Sequence, residues 1–209
     1  RETIDKAIQK LDAMTVFIGY PDKLPEIYDQ FTVSHDSIYS HVARFNIVRT
    51  HRHYEKFNEP VDKTEWHMPA HMVNAYFSPD SNTIVFPAAI LQAPFYSLEQ
   101  SSSQNYGGIG AVIAHEISHA FDNNGAQFDK EGNLNKWWLD EDYEAFEEKQ
   151  KEMIALFDGV ETEAGPANGK LIVSENIADQ GGITAALTAA KDEKDVDLKA
   201  FFSQWAKIW

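Results

Sequence analysis

Residues 112–121 read VIAHEISHAF, with two histidines four positions apart and a glutamate directly after the first, in an apolar run. Residues four apart in an α-helix share a face, about 6 Å apart along the axis, so His115 and His119 can direct ring nitrogens at one point. Glu116 is rotated by about 100° from His115 and can reach a water molecule beside a metal ion. The stretch therefore predicts a metal-binding helix, over about residues 109–121, that also supplies a general base.

The periodicity of this helix separates a cleft face from a core face. The residues predicted on the cleft face are Val112, His115, His119 and Asp122, and those on the opposite face are Ile109, Ile113, Ile117 and Ala120.

A second stretch, SENIADQGG at residues 174–182, supplies the third metal ligand that a catalytic zinc site needs. Glu175 and Asp179 are four positions apart, on one face of a predicted helix over about residues 175–190. Glu175 is the candidate ligand, whereas Asp179 can accept the other ring N–H of a ligating histidine. Two adjacent glycines, Gly181 and Gly182, cost about 1 kcal/mol each in a helix, which predicts close packing against the histidine helix.

Two further stretches predict local structure: a helix N-cap and a β-hairpin. Ser174 is a candidate N-cap for the second helix. The stretch 73–91 has β-formers on both sides of a turn at residues 78–82, which predicts a β-hairpin whose edge strand can pair with an extended peptide, with Asn74 adding a contact.

The composition excludes several classes of protein. A net charge of −15 argues against nucleic-acid partners, and the absence of cysteine leaves only His, Asp and Glu as metal ligands. No apolar run reaches the roughly 20 residues that span a bilayer, so we expect no membrane insertion within this segment. With 43% hydrophobic residues the chain can form a core, and no linker divides it. We therefore expect a single partial domain over residues 1–209, mainly α with a small β-hairpin or sheet.

The two ends of the chain suggest a segment of a longer protein. Residues 1–13 form a predicted amphipathic helix, with Ile4, Ile8 and Leu11 at helical spacing. The last stretch, LKAFFSQWAKIW, is strongly apolar on one helical face and needs other protein to cover it.

Five stretches together resemble the neprilysin family of zinc metallopeptidases, of the bacterial endopeptidase O type, over about residues 60–209. In chain order they are VNAYF, IVFPAAILQAPFY, NYGGIGAVIAHEISHAFD, GNLNKWW and ENIADQGG. The resemblance implies an incomplete zincin fold with a thermolysin-like catalytic core.

The same resemblance implies roles for individual residues. One zinc ion would be bound by His115, His119 and Glu175, with Glu116 as the catalytic base and Asp179 as the acid that supports a ligand histidine. The residues implied to bind the substrate backbone are Asn74 and Ala75, and those implied to line the pocket for an apolar side chain after the scissile bond are Ile90, Phe95, Val112 and Trp209.

The family pattern continues beyond this chain. Family members have a further stretch after the segment that matches FFSQWAKIW, with a histidine that stabilises the oxyanion and an arginine that contacts substrate, and a large helical N-terminal portion. Asp122 matches an aspartate that orients this histidine, so the sequence predicts that Asp122 lacks its partner. Because a missing oxyanion donor can reduce turnover by about 100 to 1,000-fold, we expect weak or no activity from the 209 residues alone.

The sequence thus predicts a zinc-dependent endopeptidase that hydrolyses oligopeptides with an apolar residue after the scissile bond. A zinc-stabilised peptide-binding module without catalysis is the alternative, and it would have four protein ligands. An acidic interaction domain without a metal is the third hypothesis. The resemblance and the absence of cysteine favour a bacterial cytoplasmic protein, with secretion or the cell envelope as the alternative.

Overall fold

Helices dominate the fold. The computed structural model describes residues 1–209, apart from the side chain of Glu26. The helices within the described chain are α1 (Glu2–Asp12), α2 (Ile38–Glu55), α3 (Ser102–Asn105), α4 (Ala111–His119), α5 (Asp140–Phe157), α6 (Gly169–Lys191) and α7 (Leu198–Ile208), and the strands are β1 (Thr15–Gly19), β2 (Tyr76–Ser78), β3 (Thr83–Pro87), β4 (Glu161–Thr162) and β5 (Gly165–Pro166). The predicted mainly α fold with a small sheet is confirmed. Among the described residues, no helix combines the length and apolarity needed to cross a membrane.

The chain divides into two compact units. The first contains residues 1–20 and 68–209, and the second contains residues 21–67. In the second unit, Ser37 is the N-cap of α2, and its side chain accepts a hydrogen bond from the Ser40 backbone N–H at 3.3 Å. The single catalytic domain predicted for residues 1–209 stays a prediction.

A three-stranded sheet in the first unit has the order β1-β3-β2. The hairpin is confirmed, because β2 and β3 are antiparallel and a turn at residues 79–82 connects them. Asn82 closes this turn with a left-handed φ of 52°. The central strand, β3, is buried throughout and ends at Pro87, whose lack of an N–H limits further pairing. Strand β2 lies at one end of the strand order, so it is an edge strand of this sheet.

Helices α4 and α6 approach closely at two glycines. A Cβ on Gly182 would lie 2.8 Å from the His115 backbone nitrogen, and one on Gly181 would lie 2.4 Å from the Ser118 hydroxyl oxygen. Neither distance is compatible with an ordinary van der Waals contact. The prediction that the two glycines allow packing against the histidine helix is therefore confirmed.

The histidine helix has a different beginning from the predicted one. The α-helix begins at Ala111, and residues Tyr106–Gly110 before it form a π-helical turn. A Cβ on Gly107 would lie 2.1 Å from the Phe201 carbonyl oxygen, and one on Gly108 would lie 2.3 Å from that of Phe95. The wider turn brings the backbone against two neighbouring segments, a tertiary contact that periodicity cannot predict.

Helix α6 begins earlier than the sequence indicates. Its N-cap is Asn168, whose side chain accepts a hydrogen bond from the Leu171 backbone N–H at 3.1 Å. Ser174 lies inside the helix, so the predicted N-cap at Ser174 is wrong. The hydroxyl of Ser174 instead bonds to Asp122, a partner distant in sequence.

Two predicted faces differ from the structure. In α1 the apolar residues Ile4 and Ile8 are 63% and 51% exposed, while Lys10 is fully buried. On the predicted core face of the histidine helix, Ile109 and Ala120, which flank α4, are buried as expected, but Ile113 within α4 is exposed. Amphipathic spacing gives the relative position of residues on a helix, but the packing neighbours decide which face is covered.

Candidate metal centre and active site

Three side chains from α4 and α6 bring one ligand atom each to a common point. The Nε2 atoms of His115 and His119 lie 2.9 Å apart, and Oε2 of Glu175 lies 3.4 Å from each of them. Within the part of the chain that the structure describes, this is the one group of three or more His, Cys, Asp or Glu residues that can hold a metal ion.

The opposite ring nitrogens are held by carboxylates. His115 Nδ1 lies 2.8 Å from Asp179 Oδ1, and His119 Nδ1 lies 2.7 Å from Asp122 Oδ2. Because an ionised carboxylate only accepts hydrogen bonds, each Nδ1 carries the proton and each Nε2 presents a lone pair to the common point.

This donor set fits a zinc ion. Two lone pairs 2.9 Å apart repel each other unless a cation lies between them. Ligand atoms at about 2.0–2.1 Å from a tetrahedral zinc ion lie about 3.4 Å from one another, close to the spacing of the Glu175 oxygen from both rings. Two imidazoles and one carboxylate also match the ligand types of catalytic zinc sites, which keep a fourth position open.

Asp122 is the most heavily bonded carboxylate of the centre. Its Oδ1 accepts from the backbone N–H groups of Asn124 and Gly125, both at 2.7 Å, and its Oδ2 accepts from the Ser174 hydroxyl at 2.5 Å as well as from His119. Burial works to raise the pKa of Asp122, but these hydrogen bonds outweigh it and hold the pKa below its usual value. The histidine that the resemblance pairs with Asp122 is a different one, and within this chain the carboxylate of Asp122 orients His119.

The surroundings of His119 favour its charged form. Burial works to lower the pKa of His119, but the hydrogen bond to Asp122 and the negative charges of Glu116 and Glu175 outweigh it and raise the pKa. The pocket is thus strongly attractive to positive charge, whether a proton or a metal ion carries it.

Glu116 is buried beside the metal ligands. Burial raises the pKa of its carboxyl group, and Glu175 adds to this effect, whereas the two histidines oppose it. The backbone of Phe77 in the edge strand β2 also lies beside this carboxylate and works to lower its pKa. The base candidate is therefore connected to the strand on which an extended peptide would lie.

A cavity of about 620 Å³ contains the centre. The four residues predicted on the cleft face of α4 all line it, as do Glu116 and Glu175. The structure also places every residue implied to bind substrate on its wall, namely Asn74, Ala75, Ile90, Phe95, Val112 and Trp209. The ring of Trp209 lies 5.4 Å from that of His115, measured between centroids.

Sequence reasoning missed two contributions to the centre. The hydroxyl of Ser174 in α6 bonds to Asp122, and the backbone of Phe77 lies beside the carboxylate of Glu116. The backbone contact has no sequence signature at all. For Ser174 the only available signal is its position directly before Glu175, which instead suggested a helix cap.

Comparison with known proteins agrees with this geometry. A sequence profile of peptidase family M13 matches residues 74–209. The chain belongs to peptidase family M13. The M13 profile includes every residue of the metal centre and every lining residue named above.

Individual M13 relatives are much longer than this chain. A neutral endopeptidase of Lactococcus lactis subsp. cremoris is 84% identical over 209 residues, which is 100% of this chain and 33% of the relative. The crystal structure of PepO from Lactobacillus rhamnosis has a TM-score of 0.93 and 42% identity, with 100% of this chain and 33% of that chain covered. The zinc metalloprotease Zmp1 of Mycobacterium tuberculosis, solved with an inhibitor, has a TM-score of 0.92 and 37% identity. The match covers 100% of this chain and 34% of the Zmp1 chain. The chain thus spans about a third of the length of these relatives, and the resemblance to the endopeptidase O type is confirmed.

Proposed function

We propose that this chain is the zinc-binding part of an endopeptidase that hydrolyses oligopeptides. The observation that carries the proposal is the convergence of three ligand atoms beside the buried carboxylate of Glu116, in one cavity. The names of the longer relatives, a neutral endopeptidase and a zinc metalloprotease, support it. The activity is proposed for the longer protein, because this chain spans only about a third of those relatives.

The chain's own residues divide the work of hydrolysis. His115, His119 and Glu175 would hold the zinc ion, which when bound supplies Lewis-acid polarisation of a carbonyl and lowers the pKa of water. Glu116 takes a proton from the attacking water and delivers it to the leaving amine. Asp179 and Asp122 keep the two imidazoles in the tautomer that presents Nε2 to the ion.

The edge strand β2 and the cavity wall would position the peptide. An extended substrate can add to β2 through backbone hydrogen bonds, with Asn74 and Ala75 directly before the strand. The wall contributes apolar side chains next to the metal ligands, namely Ile90, Phe95, Val112 and Trp209. This lining supports a preference for an apolar residue after the scissile bond.

The number of ligands favours catalysis over a structural zinc module. A structural site is closed by four protein ligands, whereas the described residues bring three together. The weak activity expected from the 209 residues alone stays a prediction, which a comparison of turnover by this segment and by the full-length protein would test.

A glutamine in place of Glu116 tests the proposed base. In the full-length protein, Glu116→Gln should reduce hydrolysis of a fluorogenic peptide by about 100-fold or more, because general-base catalysis typically contributes that much. Zinc content, measured by elemental analysis, should stay at one ion, since Glu116 is outside the ligand set. Glu141→Gln, an exposed change in α5, is the matched control for a lost carboxylate. Turnover that survives in Glu116→Gln would refute the assignment.

A further inference from the structure

A fully buried lysine lies under the turn that follows the histidine helix. Lys10 of α1 has no exposed surface. Its Nζ donates to the carbonyl oxygens of Ala120, Gly125 and Phe128 at 2.8, 2.8 and 2.7 Å. An ammonium group has three N–H donors, so this arrangement uses all of them.

The burial of the charged Lys10 side chain among aromatic rings has a cost in folding free energy. The rings of Phe77, Phe121 and Trp137 lie 5.5–5.7 Å from its Nζ, measured to their centroids. Burial lowers the pKa of Lys10 to about 8, although the charges of Asp122 and Asp129 oppose that shift. Its charged form therefore opposes folding near neutral pH, and a specific geometric effect is the better explanation of its position.

The three carbonyl groups belong to one turn, residues 120–128. Carbonyl oxygens that converge on a buried point repel one another unless a donor or cation lies between them. The ammonium group of Lys10 thus holds this turn in its observed conformation. The same turn carries the backbone N–H groups of Asn124 and Gly125, which donate to Oδ1 of Asp122. The other oxygen of Asp122, Oδ2, accepts from His119.

We propose that Lys10 is a positioning residue for the metal ligand His119, acting through the turn 120–128 and the carboxylate of Asp122. The inference rests on the proposed zinc site and extends it to a residue more than 100 positions away in sequence. Lys10 bonds to none of the three metal ligands and does not itself line the cavity, so its effect is on the orientation of the His119 ring.

The first test compares zinc affinity in variants of the full-length protein. Lys10→Met removes all three donors and Lys10→Gln keeps an amide that can serve two of them. We expect zinc affinity, measured by competition with a chelator, to fall about 10-fold in Lys10→Met and less in Lys10→Gln, in line with other residues that orient ligands. The visible spectrum of the Co²⁺ form, which reports ligand geometry rather than stability, should change in parallel.

Thr3→Val is the matched control, because Thr3 lies on the same helix, is buried, and bonds to Asp142 and Leu139 instead of the turn. It should loosen α1 while zinc affinity and the Co²⁺ spectrum stay as in the wild type. An equal loss of zinc affinity in Thr3→Val would show that Lys10 acts only through folding, and would overturn the proposal.

A double-mutant cycle tests the route through Asp122. In an Asp122→Asn background, Lys10→Gln should cause little further loss of zinc affinity, because the link from the turn to His119 is already weakened. The same fold-loss in both backgrounds would overturn the proposal while the zinc site stands. A wild-type protein that binds no zinc would instead refute the proposed function, and the inference with it.

Discussion

A methyl group at residue 182 should push apart the two helices that build the metal centre. In Gly182→Ala the new Cβ would lie 2.8 Å from the His115 backbone nitrogen and 3.0 Å from its Cα. Since ordinary contacts begin at 3.4 Å, α6 has to move from α4 by about 0.6 Å. The two histidines are on α4 and Glu175 is on α6, so the shift acts directly on the ligand spacing.

The expected size of the effect follows from two opposing contributions. Overpacking typically costs about 1–3 kcal/mol, while replacing glycine by alanine inside a helix gains about 1 kcal/mol. The free energy of unfolding should therefore fall by about 0–2 kcal/mol. Metal sites tolerate displacements of about 0.5 Å, so zinc affinity should fall by about 10-fold or more.

Chelator competition and denaturant unfolding measure the two quantities separately in Gly182→Ala. Ala185→Gly, at an exposed position of the same helix, measures the helix-propensity contribution without a packing change. Unchanged zinc affinity together with a gain of about 1 kcal/mol in Gly182→Ala would refute the reasoning, because it would mean that the methyl group fits without moving α6.

Two further predictions concern single charges. Asp179→Asn should weaken zinc binding by about 10 to 100-fold, because the His115 tautomer is no longer fixed. The exposed control Asp195→Asn should leave zinc affinity unchanged. Equal zinc affinities of the two variants in chelator competition would contradict the prediction. For Lys10, a pKa of about 8 in place of 10.5 means that between these pH values the unfolded chain binds more protons than the folded one. The contribution of Lys10 to the free energy of unfolding should thus rise with pH by up to about 3 kcal/mol across this window. Urea unfolding of the wild type and of Lys10→Met at several pH values measures this as a pH-dependent difference in stability. Parallel pH profiles for the two proteins would disprove it.

Local sequence rules were sufficient for much of the centre. The four-residue spacing of His115 and His119, and of Glu175 and Asp179, fixes which side chains share a helical face, because the α-helix has a constant period. The turn residues between two β-forming stretches likewise fixed the hairpin. Adjacent glycines in a helix predicted a close approach, since their cost requires a packing reason.

Only the tertiary structure decided which faces and which distant groups meet. Local spacing cannot show that Lys10 is buried while Ile4 and Ile8 are exposed, because burial depends on the elements packed around α1. The same holds for Ser174, which a helix-cap rule misplaced and which bonds from α6 to Asp122 in the turn after α4. The sequence alone thus determined the chemistry of each ligand and its order on its own helix. The orientation of those ligands depends on hydrogen bonds between segments far apart in the chain, and these form only once the helices pack.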